Sequence, residues 1–117
     1  MKALFFTREF PPYVYGGAGV HVEYLAAELA KLMELEVRCF GDQDEESGNL
    51  SVKGFPYDNP VFNNSNDKLK AVLQTLSTCI HMNADDIDAD IVHCHTWYSH
   101  FAGITAKLLY GIPLVVT

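Results

Sequence analysis

Residues 2–17 have the sequence KALFFTREFPPYVYGG, and this stretch decides the fold. Its first six residues, Lys2–Thr7, are mostly apolar or aromatic, which predicts a buried β-strand. Residues 8–17 contain two adjacent prolines and end on a glycine pair, so they predict a loop. After Ala18 apolar residues recur at helical spacing, at Val22, Leu25, Ala26, Leu29, Leu32 and Met33. A strand, a glycine loop and an amphipathic helix in this order predict the first unit of an α/β sheet.

The remainder of the chain alternates in the same way. Further strands are predicted at 35–40, 51–55, 89–95 and 112–117. The acidic residues 42–49 predict a solvated loop, and residues 56–66 predict a long connection. Strands that alternate with helices favour parallel pairing with right-handed crossovers. The sequence therefore predicts a Rossmann-like parallel sheet with helices on both faces, built as one domain over residues 1–117.

Two more helices are predicted in the second half. Ser65 or Asn66 is a suitable N-cap for the first of them, and its apolar stripe consists of Leu69, Val72, Leu73, Leu76 and Ile80. The other spans Trp97–Tyr110 and is stopped by Gly111. Its inward-facing residues are predicted to be Phe101, Ala102, Thr105, Leu108 and Leu109. Ligands of such sheets bind beyond the carboxyl ends of the strands, so a site is expected in segments 7–18 and 93–100.

The composition is that of a globular domain with reduced thiols. Of 117 residues, 49% are hydrophobic and 20% are charged, which is enough for one core. The net charge of -7 excludes the basic surface that nucleic acids and anionic membranes require. Cys39, Cys79 and Cys94 are odd in number and lack metal-ligand spacing, so they predict a cytoplasmic protein.

The glycine loop is the first candidate site. Residues 16–19, Gly-Gly-Ala-Gly, precede the first helix, where unpaired N–H groups and the positive dipole end can bind an anion. Glycine allows a phosphate to approach the backbone closely. The spacing is neither the dinucleotide fingerprint nor a P-loop. The alternative is a loop that contains glycine only because it needs positive φ.

The histidine stretch is the second candidate site. Residues 90–98 read DIVHCHTWY, and strand alternation places His93 and His95 on one face with Cys94 on the other. A zinc site completed by His100 is an alternative, but structural zinc takes four ligands and no second cluster exists. His93 is interpreted as a structural histidine. The end of the strand, at residues 95–97, is predicted to reach the cleft.

Three segments carry a resemblance to a known family. Residues 8–12 (REFPP), 14–21 (VYGGAGVH) and 93–97 (HCHTW) resemble bacterial glycogen synthases of the smaller, GT4-like type, and more loosely the larger glycogen and starch synthases. Val14 and Thr96 stand where the larger enzymes carry lysine and aspartate, which favours the GT4-like branch. The resemblance implies that the donor binds at Gly16, Gly17 and Ala18. It also implies that the acceptor and sugar are contacted by Glu9, His95, Thr96 and Trp97.

The implied activity is retaining transfer of glucose from ADP-glucose or UDP-glucose to an α-1,4-glucan, without a cofactor or metal. Residues 1–117 are then the N-terminal, acceptor-side domain of a GT-B fold. The family's C-terminal nucleotide-binding domain, and a histidine expected directly after Thr117, are absent from the sequence. As a fragment, the chain is expected to be inactive and to self-associate through its exposed last strand.

Several alternatives remain at this stage. Within the same class, the enzyme could make maltose 1-phosphate, sucrose or trehalose. A flavodoxin-like binding module without chemistry is a rival, and so is an NAD or flavin enzyme that would use Asp42 to hold a ribose. Glu9 could form a salt bridge with Arg8 instead of touching a sugar. Asp85, Asp86, Asp88 and Asp90 could bind Mg²⁺, but they precede a strand and better fit a solvated turn.

Overall fold

The computed structural model describes residues 1–57 and 60–117. These residues form six strands, three α-helices and a short 3-10 helix at Pro60–Phe62. The strands are β1 (Lys2–Thr7), β2 (Glu34–Phe40), β3 (Asp44–Ser47), β4 (Leu50–Phe55), β5 (Ile91–His95) and β6 (Leu114–Val116). The helices are α1 (Gly17–Leu29), α2 (Asp67–Ala84) and α3 (Trp97–Tyr110). Within the predicted connection 56–66, residues 58 and 59 lie outside the described part of the chain.

The sheet order is β3-β4-β2-β1-β5-β6, and every pair except β3–β4 is parallel. After β1 the chain builds outward through β2 and β4, then returns to place β5 on the opposite side of β1. The order therefore reverses between β1 and β5, where Thr7 pairs with His95. This reversal is the position at which open α/β sheets bind ligands. The predicted Rossmann-like α/β fold is confirmed.

Two apolar layers cover the two faces of the sheet. Phe5 and Val37 pack with Val22 of α1 on one face. On the other face, Phe6 and Val92 pack against residues of α2 and α3. Since successive residues of a strand point to opposite faces, the apolar run of β1 fills both layers at once. The helices lie on both faces, as the sequence predicts.

The acidic segment predicted as a loop contains strand β3, so that prediction is wrong. β3 pairs antiparallel with β4 across a tight turn in which Gly48 has a φ of 58°. Its four residues are all exposed at the edge of the sheet. Backbone pairing forms this strand without apolar burial, and charged side chains on an edge oppose further strand addition. The dipeptide Gly48-Asn49 was the available signal, because it is typical of a two-residue hairpin turn.

The helix boundaries were predicted better than the helix faces. Asn66 caps α2, its side chain accepting a bond from the N–H of Lys68 at 2.9 Å. However, the predicted α2 stripe is largely solvent-facing, with Ile80 57% exposed. The residues that α2 buries are Thr75, Ser77, Thr78, Cys79, Met82 and Asn83. Asn83 donates to the carbonyl of Ala102 at 3.0 Å and to the hydroxyl of Thr105 at 2.6 Å, so α2 packs on α3 through small and polar side chains.

Two other stripe positions are corrected. Helix α1 ends at Leu29, and Leu32 is 83% exposed. Leu108 and Leu109 of α3 are also exposed instead of facing inward. Gly111 ends α3 in the left-handed conformation with φ 68°, as predicted. No helix in residues 1–57 or 60–117 is long and apolar enough to cross a membrane.

The aspartate cluster before β5 is a structural turn. The buried guanidinium of Arg38 donates to the carbonyls of Met82, Asp85 and Asp86 at 2.6, 3.0 and 2.7 Å. Its Nε lies 2.9 Å from the Glu36 carboxylate. This arrangement satisfies carbonyls that the end of α2 leaves open. Across the described residues, no group of three or more metal-ligating side chains is arranged to hold an ion.

Candidate functional site

The glycine pair lies directly after the β1 loop, at the start of α1. Gly16 caps the helix in an extended conformation with φ -164°, and neither Gly16 nor Gly17 has a positive φ. A Cβ built on either residue would meet nothing within 4 Å. The alternative that the loop needs glycine for positive φ is therefore wrong. The fold leaves open space above both residues, which an approaching ligand could occupy.

Gly19, by contrast, is required by packing. A Cβ at this position would lie 2.9 Å from the Cβ of Glu9 and 2.9 Å from a methyl of Val14. The first turn of α1 therefore rests directly on the loop that follows β1. Sequence reasoning placed Gly19 in the anion loop without recognising this contact, because the contact depends on how the loop folds back.

The carboxylate of Glu9 holds the loop in place. Its Oε1 accepts hydrogen bonds from the N–H groups of Tyr15 and Gly16, the latter at 3.0 Å. The alternative for Glu9, a salt bridge with Arg8, is not among the ion pairs of the described residues. The first helical bond of α1 runs from Val20 N–H to Gly16 O at 3.3 Å, so the N–H groups of residues 17–19 precede the intrahelical pattern. These amides lie next to Glu9, in the segment where the sequence predicts that the donor binds.

The two histidines of β5 share one face, as predicted. Their ring centroids are 3.9 Å apart, whereas Cys94 packs in the opposite apolar layer. His95 is only 2% exposed and does not reach the open cleft, so that prediction is corrected. It lies with its edge on Phe5 at 4.8 Å and near His21 of α1 at 6.2 Å. The ring of His93 bonds to the hydroxyl of Thr117, which agrees with a structural role.

Burial keeps the imidazole of His95 neutral. Desolvation, with smaller contributions from His93 and His21, lowers the pKa of His95 to about 3. The pKa of His93 is also lowered, by burial and then by His21. Within the described part of the chain neither ring nitrogen of His95 has a hydrogen-bond partner. A neutral imidazole has one ring donor and one ring acceptor, and here both are buried without a partner among the described residues.

Thr96 forms a strained turn between β5 and α3. Its backbone has φ 66° and ψ 163°, a region that is almost restricted to glycine. Ser99 braces this turn, because its buried hydroxyl accepts from the N–H of His95 at 3.0 Å and donates to the carbonyl of His95 at 2.7 Å. Backbone strain that is braced in this way is typical of functional sites. Sequence reasoning missed Ser99, since nothing in the pattern marks a serine as a brace.

Arg8 joins the two candidate segments. Its guanidinium lies 4.3 Å from the ring centroid of Tyr98 and 5.9 Å from that of Tyr15. Trp97, which is 50% exposed, lies against Tyr98 with the ring centroids 4.2 Å apart. The glycine loop and the head of α3 therefore meet at one edge of the sheet. Sequence reasoning missed both tyrosines, and their position beside the predicted glycine pair and tryptophan was the available signal.

Comparisons with known proteins agree with this arrangement. The family model described as Glycosyltransferase Family 4 matches residues 15–117. Over its whole length the chain is 40% identical to the α-maltose-1-phosphate synthase of Mycolicibacterium smegmatis and 41% identical to that of Mycobacterium tuberculosis. It is 26% identical, over 98% of its length, to 30% of an uncharacterised glycosyltransferase of Methanocaldococcus jannaschii. The chain spans 28% of the length of the two synthases.

The matched region contains the glycine pair, the β5 histidines and the strained turn at Thr96, which are the features that the fold brings to one edge of the sheet. The chain belongs to glycosyltransferase family 4.

Proposed function

We propose that the protein is a retaining glucosyltransferase that makes α-maltose 1-phosphate from a nucleotide-glucose donor. Identity of 40% and 41% over the whole chain to two synthases of that name is the observation that carries this proposal. The motifs alone favoured the elongation of a glucan. The identity to the two synthases favours the synthesis of maltose 1-phosphate instead, which was one of the alternatives that the sequence left open. The two activities share a donor and differ in the acceptor.

The donor diphosphate is proposed to bind at the head of α1. The amides of residues 17–19 and the helix dipole would stabilise the negative charge that develops on the leaving group. Open space above Gly16 and Gly17 supports this assignment, because it lets phosphate oxygens reach the backbone. ADP-glucose and UDP-glucose both supply such a group.

The sugar is proposed to lie over the β5–α3 turn. Trp97 is exposed on this turn and Thr96 is half-buried, while the neutral ring of His95 is buried. In the proposed reaction, the bond from C1 of the donor glucose to the diphosphate oxygen breaks. A bond forms from C1 to a hydroxyl oxygen of the acceptor, and the hydroxyl proton leaves with the diphosphate product. The residues of this chain position both partners and exclude water.

The test is to identify the product made by the full-length protein. It would be incubated with ADP-glucose or UDP-glucose and with either glucose 1-phosphate or a neutral maltooligosaccharide, and the products would be separated by mass spectrometry. The expected product is a disaccharide phosphate with an α-linkage by NMR. Transfer to the neutral chain alone would contradict the proposal, and so would release of glucose without transfer. Reactions without an acceptor measure donor hydrolysis as the control.

A further inference from the structure

A groove centred on Arg8 lies beside the candidate site. Two neighbouring cavities, of about 370 and 290 Å³, share four lining residues. These are Arg8, Phe40, Tyr57 and Thr78. Tyr15 lines the first cavity and Tyr98 the second, so the two rings that contact the guanidinium also flank the groove. Aromatic walls of this kind suit the apolar faces of a sugar.

The charge of Arg8 is not neutralised by the residues that the structure describes. Their ion pairs involve Lys31, Arg38 and Lys53, and none involves Arg8. The adjacent carboxylate, Glu9, is bonded to the loop amides. The chain has 15 acidic and 8 basic residues, so a groove cation that has no carboxylate partner within residues 1–57 and 60–117 is unusual here.

The surroundings of Arg8 fix its orientation. Tyr98 lies against the guanidinium at 4.3 Å, which holds the planar group by a cation–π contact and leaves its N–H donors at the edge. A guanidinium presented in this way matches the oxygens of a phosphate group, to which it can donate two parallel hydrogen bonds. The amides of residues 17–19 do not line the groove, so they form a separate anchor for an anion.

We propose that Arg8 binds the phosphate of a phosphorylated sugar acceptor, with Tyr15 and Tyr98 holding the guanidinium and the groove containing the sugar. This inference rests on the proposed function, since only an acceptor that carries a phosphate uses the site. The same phosphate chemistry is present in the donor diphosphate. The acceptor is favoured because the donor has its own amide anchor at the head of α1.

The test compares Arg8→Gln, Arg8→Lys and the matched control Lys107→Gln, an exposed cation of α3, in the full-length protein. We expect Arg8→Gln to raise the KM for glucose 1-phosphate about 10- to 100-fold, as for the loss of a charge-assisted hydrogen bond. The KM for the nucleotide-glucose donor should stay within about twofold of wild type. Arg8→Lys should raise the KM for glucose 1-phosphate by less than Arg8→Gln does. Lys107→Gln should have the wild-type KM for glucose 1-phosphate. A rise confined to the donor KM would assign Arg8 to the diphosphate and overturn the proposal.

A second measurement separates this inference from the proposed function. Calorimetric titration of glucose 1-phosphate and of maltose into the protein without donor requires no turnover. Wild type should bind the phosphorylated sugar, and Arg8→Gln should lose most of that affinity while matching the wild-type melting temperature. If no transfer product forms but this difference is seen, the function fails and the site stands. If wild type and Arg8→Gln bind glucose 1-phosphate equally, the site is wrong.

Discussion

His95 carries an uncharged imidazole where a protonated ring would have no counter-ion. Its neighbours are Phe5 and two further histidines, His21 and His93, so no carboxylate among them could stabilise the charged form. Its pKa of about 3 follows from this burial. Period-two alternation in the sequence was enough to place His93 and His95 on one face. It could not show that α1 covers His95, because that depends on where the helix packs.

The first prediction concerns stability against pH. In the unfolded chain His95 has its ordinary pKa of 6.5, while the folded pKa is about 3. Between these values the unfolded state binds more protons, so the free energy of unfolding falls as the pH falls. We expect His95→Gln to remove part of this slope, up to about 1.4 kcal/mol per pH unit. Urea unfolding at several pH values measures it, with the exposed His81→Gln as control. Equal slopes in wild type and His95→Gln would contradict the prediction.

The second prediction concerns the strained turn. At φ 66° and ψ 163° a threonine stores roughly 1–3 kcal/mol, most of which glycine would relieve. Thr96→Gly should therefore raise the free energy of unfolding by about 1 kcal/mol, after the larger entropy of unfolded glycine is subtracted. Thr96→Val, which keeps the branched side chain without the hydroxyl, should not. Chemical denaturation of the three proteins decides the matter, and a Thr96→Gly variant less stable than wild type would show that no strain is stored there.

At the scale of elements, the start of α1 contains glycines of two kinds. Gly17 has open space around its missing Cβ, whereas Gly19 is in contact with Glu9 and Val14. One glycine is dispensable for the fold and the other is required by it. The sequence alone shows three glycines among the four residues 16–19, so it could not distinguish these roles.

The third prediction follows from that difference. Gly17→Ala should leave the free energy of unfolding unchanged or raise it by less than about 1 kcal/mol, since alanine favours helices. Its kcat/KM with the nucleotide donor should fall at least about tenfold, because the methyl group occupies the approach of the phosphate. Gly19→Ala should instead destabilise the fold by about 1–3 kcal/mol through overpacking. Full activity in Gly17→Ala would contradict the proposal that the donor phosphate binds at the head of α1.

The elements themselves were predictable to different degrees. β1 and α3 were predicted with their observed bounds, because each is delimited by strong signals such as adjacent prolines or Gly111. The buried face of α2 was not predicted correctly. Its apolar period predicts burial of Ile80, but the helix packs through Thr78 and Asn83, whose polar atoms bond to α2 or α3 carbonyls. Tertiary packing therefore decided the face, and hydrophobic periodicity did not.

At the scale of the whole molecule, the sheet order brings distant segments together. The alternation of strands with helices predicts a parallel sheet, and the rule that ligands bind at the carboxyl edge selects segments 7–18 and 93–100, which the structure brings close together. What the sequence could not predict is the contact between them. The guanidinium of Arg8 contacts both Tyr15 and Tyr98, two rings that are far apart in the chain. Only a folded chain shows that the glycine loop and the head of α3 form one surface.

The most direct test of that single surface is hydrogen–deuterium exchange of the full-length protein with and without ADP-glucose or UDP-glucose. If both segments bind one donor, peptides that contain residues 16–19 and peptides that contain residues 95–99 should be protected together. Backbone amides of the exposed strand β3 should exchange at the same rate in both states, as an internal control. Protection of neither segment, or of one without the other, would contradict the account.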